Sequence, residues 1–201
     1  MTNEKLKLIV DNNKVIILRF IKLMCSWFNL TEDKIKDMPK EHLKFHLKNA
    51  LTRVKVDEFK LSQQRLEIEE KGRIIEEFEK AFVVGDSYDK IAEGKNTGGS
   101  KTPADIRQIK KLQLKEEQQA RIIEYDLTEK QVKEKHQIIH DFISLLPQAN
   151  YVVILELLYF ENASMKEISR KIYYEPNCIK QINRRATIIL SELVKNYFLE
   201  N

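Results

Sequence analysis

An all-α fold is predicted from three features of the 201-residue chain. Glycine and proline are scarce, at 5 and 4 residues, so turns are few and long uninterrupted helices are permitted. Charged residues make up 33% of the chain and alternate with Leu and Ile at spacings of three, four and seven, the period of an amphipathic helix rather than a strand. Residues that start helices (Thr31, Pro39, Ser164, Pro176) stand just ahead of such runs.

Residues 4–30 fit one helix. Lys14, Arg19, Lys22, Ser26 and Asn29 make a narrow polar stripe, and Val15, Ile17, Phe20, Ile21, Leu23, Met24, Trp27 and Phe28 make a broad apolar surface. Such a helix is either the centre of a small bundle or half of a homo-oligomer contact. It is no membrane span: residues 15–30 are about 16 against the ~20 required, and Arg19 and Lys22 lie inside. The polar stripe also lacks the broad basic face of a helix that lies on a membrane. Thr31 then caps a short helix over residues 32–37, and Pro39 can open the next.

Over residues 39–84, Leu43, Leu47, Leu51, Val54, Leu61, Ile68 and Ile75 recur at helical spacing, which predicts a coiled-coil-like arm with Gly72 as an isolated breaker. A second arm is predicted over 104–145 through Ile109, Leu112, Ile122, Val132, Ile139 and Phe142. Residues 85–103, which include GKNTGGSKTP, are predicted to link the two arms at the tip of a helical hairpin. The linker is not a phosphate-binding loop: it lacks GxxxxGK[ST], and no apolar strand precedes it.

Residues 146–201 carry the most specific pattern. Leu146-Pro147 opens a helix whose Val152, Leu155, Leu157 and Leu158 are apolar, and the run 160–163 closes it. Ser164, with Glu167 three residues on, has the sequence of a capping box for a short helix over 165–172. A turn through Tyr173-Tyr174-Glu175 follows, and Pro176 suits the first position of a third helix over 176–192. That helix keeps Ile179, Ile182, Ala186 and Ile189 for a core. Its other face carries Asn177, Lys180, Gln181, Arg184 and Arg185, with no acid between Glu175 and Glu192. This predicts a helix-turn-helix whose last helix enters the DNA major groove. Asn and Gln can pair with adenine, and Arg and Lys with guanine or phosphate.

The formal net charge of +4 is too small for a histone-like polycation, so nucleic-acid contact has to come from locally arranged charge. Cys25 and Cys178 form no CxxC, and two free thiols in a reducing cytoplasm are expected. His42 with His46, and His136 with His140, stand at i,i+4 spacing. Neither pair belongs to an HExxH or has the three or four convergent ligands of a stable zinc site. No catalytic residue, metal site or cofactor is predicted, and the carboxylates alternate with Lys and Arg as on a solvated face.

Residues 157–186, LLYFENASMKEISRKIYYEPNCIKQINRRA, resemble region 4 of bacterial sigma factors, where a pattern of the form LRYFEG-S--EIA--L precedes the recognition helix. The Tyr173-Tyr174 pair and the late Arg185-Ala186 are similar to the ArpU/RinA-like regulators of late transcription in Gram-positive phages and prophages. The likeness covers about the last 120 residues and is strongest over 146–201. It departs from the pattern at Asn162-Ala163, where a Gly-containing turn is usual, and at Glu175, where Ser is the expected cap.

The resemblance implies a phage- or prophage-encoded transcriptional regulator in the bacterial cytoplasm, associated with the nucleoid. Double-stranded DNA would be its partner, with RNA polymerase or a second copy meeting the helices at the N-terminal side. The expected organisation is a helical segment over 1–38, a hairpin over 39–145 and the helix-turn-helix over 146–201. Two rival readings share this outline: a DNA-recognition subunit of a phage packaging machine, and a helical adaptor that binds RNA polymerase or a host protein instead of DNA.

Overall fold

The computed structural model describes residues 2–89 and 103–200, which form eight α-helices and, among the described residues, no strand. In order these are α1 (Asn3–Asn12), α2 (Lys14–Phe28), α3 (Glu32–Asp37), α4 (Lys40–Asp89), α5 (Pro103–Ile143), α6 (Ala149–Tyr159), α7 (Met165–Ile172) and α8 (Pro176–Glu200). No helix is long and apolar enough to cross a membrane among the described residues. Of the linker expected at 85–103, residues 90–102 lie outside the described residues. Residues 85–89 complete α4 and Pro103 starts α5, since one isolated glycine in a helical run weakens the helix without ending it.

The single helix expected over 4–30 is instead two. Asn13 breaks it at φ −130°, ψ 25°, and the Asn13 side-chain amide donates to the Ile9 carbonyl at 2.9 Å. Short amide side chains compete for backbone groups in this way, so an Asn-Asn pair is a weak point in a helix. Asn29 ends α2 in the left-handed conformation, φ 52°, with its N–H and that of Leu30 both donating to the Cys25 carbonyl. Thr31 caps α3 by accepting from the Lys34 N–H at 3.3 Å. From α8, the Lys195 ammonium donates to the Ile35 and Lys36 carbonyls near the end of α3, where the helix leaves acceptors unfilled.

The chain divides into two compact units, one formed by Met1–Glu58 with Val132–Asn201 and the other by Phe59–Gln131. The first holds one continuous core. Ile17, Phe20, Ile21 and Met24 of α2, Leu43, Leu47, Leu51 and Val54 of α4, and Ile139, Phe142 and Ile143 of α5 belong to it. So do Ile154 and Leu155 of α6, Ile168 of α7, and Ile179, Leu190, Leu193 and Val194 of α8. Phe20 and Phe142 stack at its centre, ring centroids 4.0 Å apart. The apolar face of residues 4–30 is therefore used inside the chain, as the centre of a bundle. Leu8 and Val15 of this segment stay exposed.

The long C-terminal helix explains why the expected boundaries at 38 and 146 do not separate cores. α8 continues past the expected end at Glu192, because no breaker follows, and brings Leu193 and Val194 into the core. α1 packs along α8, burying Leu6 and Val10.

In the second unit the two long helices run antiparallel. Glu67 pairs with Arg121 at 2.6 Å, Lys71 with Glu117 at 2.8 Å, and Glu79 with Lys111 and Lys115 at 3.0 and 2.9 Å, so partners fall along α5 as they rise along α4. Leu61 and Ile75 are buried in the seam, and Ile68 lies at the heptad position between them. Exposed pairs of this kind fix register more than they stabilise.

His46, His136 and His140 meet protein side chains. No group of three or more metal-capable side chains forms among the described residues. His46 meets the edge of Phe28, and His140 Nε2 lies 2.9 Å from Glu156. His136 is nearly covered: its Nδ1 lies 3.3 Å from Glu58, while its Nε2 is buried without a partner. A second proton would sit on that unpartnered nitrogen. Burial accordingly holds the imidazole below its ordinary pKa, against the opposing pull of Glu58 and Asp57.

A pH dependence follows from this site. The unfolded imidazole titrates near ~6.5 and the folded one lower, so between the two values the unfolded state binds more protons. The first unit is expected to lose stability as pH falls below about 6.5. His136→Gln should flatten that slope in urea titrations at pH 7.5 and 5.5; equal slopes in variant and parent would contradict the assignment.

Candidate nucleic-acid interface

α6, α7 and α8 each contact the other two. α6 is buried on most sides, through Tyr151, Ile154, Leu155, Leu157, Leu158 and Tyr159. It ends where the Ala163 N–H donates back to the Leu157 carbonyl at 2.8 Å, and Asn162 takes φ 52°. That left-handed backbone is the conformation for which a turn uses glycine, and Asn tolerates it better than other side chains do. Asn162 thus makes this turn without a glycine.

Ser164 starts α7 with both halves of a capping box: its Oγ accepts from the Glu167 N–H at 3.3 Å, and Glu167 Oε2 accepts from the Ser164 N–H at 2.7 Å. The bond to the Ser164 N–H holds the Glu167 carboxyl below its usual pKa. Ser164→Ala should lower the stability of the first unit by about 0.5–2 kcal/mol, with Ser164→Asp close to the parent. Thermal melts of the two variants check this. α7 ends at Tyr173, also left-handed at φ 56° and 92% exposed. Pro176 opens α8, and the Ile179 N–H reaches the Glu175 carbonyl at 3.1 Å.

Ile179, Ile182, Ala186 and Leu190 turn α8 inward. Asn183 is half-buried, its amide 3.3 Å from the Tyr159 hydroxyl on α6. The Tyr159 phenol is raised by burial, with the Asn183 bond opposing. Opposite this packed side, Asn177, Lys180, Gln181, Arg184 and Arg185 are all exposed. Glu192 is the first acid along the helix.

Lys180 and Arg184 also line one wall of a groove of about 550 Å³. Glu41, Lys44, Phe45 and Lys48 of α4 form the facing wall, and Met165 of α7 adds to the lining. Asn177, Gln181 and Arg185 do not line it. Within the groove Lys44 donates to Glu41 at 2.7 Å. This bond, then the Lys44 charge and a smaller effect of Arg184, holds the Glu41 carboxyl below its usual pKa. The α4 cations are not legible as part of a site from sequence. Their i,i+4 spacing is visible, but nothing local says that this face of α4 meets a helix near the other end of the chain.

Cys178, near the start of α8, and Cys25 in α2 are free and half-buried, the latter with its pKa raised by burial. No protein-family model, curated protein or solved structure matches this chain.

Proposed function

We propose that the protein is a sequence-specific double-stranded-DNA-binding regulator of transcription. In this reading α6, α7 and α8 act as a helix-turn-helix of sigma region-4 type, and α8 enters the major groove. The paired helices of the second unit are a hairpin arm available to RNA polymerase or to a second copy. One observation carries the reading: α8 sets Asn177, Lys180, Gln181, Arg184 and Arg185 on one acid-free exposed face while the opposite side is packed. Those side chains combine the two functions a DNA-reading helix needs, amides for base edges and cations for guanine or phosphate. The capping box, the two left-handed turn residues and the contacts among α6, α7 and α8 support readout by a rigid element.

Selection from a pool of randomised duplexes, with non-specific competitor at ~0.15 M salt, tests the proposal. Enrichment of a short motif is the expected result. No enrichment and no salt-dependent binding would overturn it and favour a protein-binding adaptor. A large ring by light scattering would favour a packaging subunit.

A further inference from the structure

We infer that α4 is a second DNA-contacting element, with Lys44 and Lys48 binding the phosphate backbone beside the base-reading face of α8. The inference rests on the proposed DNA-binding function and adds to it a surface outside the three C-terminal helices. The groove between α4 and α8 holds four cations, Lys44, Lys48, Lys180 and Arg184, against one carboxylate, Glu41. Lys44 is tied to that carboxylate, so it offsets the one charge that would repel a phosphate. The wall formed by Lys180 and Arg184 is continuous with the exposed face that carries Asn177 and Gln181. A duplex seated on that face brings a phosphodiester strand to the mouth of the groove. Lys44 and Lys48 stand one turn apart, about 6 Å along the helix axis. Lysine suits this task because it meets phosphate as a mobile point charge and carries no sequence information.

The charges in the groove give predictions of opposite sign. Lys44→Gln/Lys48→Gln should weaken binding to the selected duplex and to a scrambled one by the same factor, on the order of tenfold, and keep the discrimination between them. The slope of log Kobs against log salt should become shallower by about 0.9 for each phosphate that is no longer neutralised. Glu41→Gln removes the one acid and releases Lys44, so it should tighten both duplexes. Glu41 and Lys48 are exposed, and Lys44 reaches the surface, so the melting temperature should stay close to the parent's. Fluorescence anisotropy titrations of the full chain across a salt series read all of these quantities.

If the parent discriminates between the duplexes while the double variant keeps its affinity and salt slope, the α4 contact is wrong and the reading of α8 stands. If the double variant loses discrimination at an unchanged slope, these lysines read bases, and the phosphate assignment is overturned. If the parent binds neither duplex, the proposed function and this inference fail together. Parent-like affinity in the double variant, combined with tight capture of an acidic peptide, would make the groove a protein site instead.

Discussion

Replacing Phe142 by Ala is expected to lower the stability of the first unit by about 3–5 kcal/mol, and to do so at both ends of the chain. Phe142 is fully buried in α5 and stacks on Phe20 of α2, so truncation leaves a ring-sized cavity in a core with little freedom to collapse. The same core continues through Leu155, Ile179, Leu190 and Val194, so α8 should lose protection together with α2. Trp27 is the only tryptophan of the chain and lies half-buried in α2, within 5.5 Å of the Arg53 guanidinium, which makes its fluorescence a probe of the N-terminal helices. Amide hydrogen exchange along α8 reports the other end. Both probes should shift by the same free energy in Phe142→Ala. A variant in which Trp27 shifts while α8 keeps the parent's protection would mean two cores, each stable by itself.

That single core changes what the C-terminal residues are. A fragment of residues 144–201 would expose Leu190, Leu193 and Val194, the side chains that α8 buries in the shared core, where α1 packs along it. The region most legible as a DNA-reading module is built on helices that precede it by more than a hundred residues.

Local features were readable where one residue type has one dominant use. Thr31, Ser164 with Glu167, and Pro176 start α3, α7 and α8 at the positions their chemistry suggests. The exposed face of α8 was readable for the same reason, since Ile179, Ile182 and Ala186 define its opposite by periodicity alone. The break at Asn13 was not, because it depends on a competition between a side-chain amide and a backbone bond that differ little in free energy. The shared core and the groove depend on which long helix meets which. Periodicity gives an apolar face but no partner for it: Leu43 and Leu47 were legible as core, and their neighbours Lys44 and Lys48 could not be placed beside Lys180 and Arg184.

The second large effect is expected at the exposed face of α8. Gln181→Ala should cost about 1–3 kcal/mol on the preferred duplex and little on others, because an amide paired with a base edge discriminates while contributing little to non-specific contact. Arg184→Ala should weaken all duplexes alike. Its guanidinium lies at the groove wall, close enough to influence the Glu41 carboxyl, and the proposed reading assigns it a phosphate rather than a base. Removing Lys180, Gln181 and Arg184 together should bring the preferred duplex down to the affinity of a scrambled one, a loss on the order of a thousandfold or more for a specific site. The three effects need not add, since neighbours on one helix face share ligand contacts. Stability separates this from a folding defect: all three side chains are exposed, so melting temperature and circular dichroism should stay with the parent, unlike Phe142→Ala. A folded triple variant that still prefers the selected duplex would show that α8 does not read it. The face left on α8 by the packing of Ile179, Ile182 and Ala186 would then be a solvated surface only.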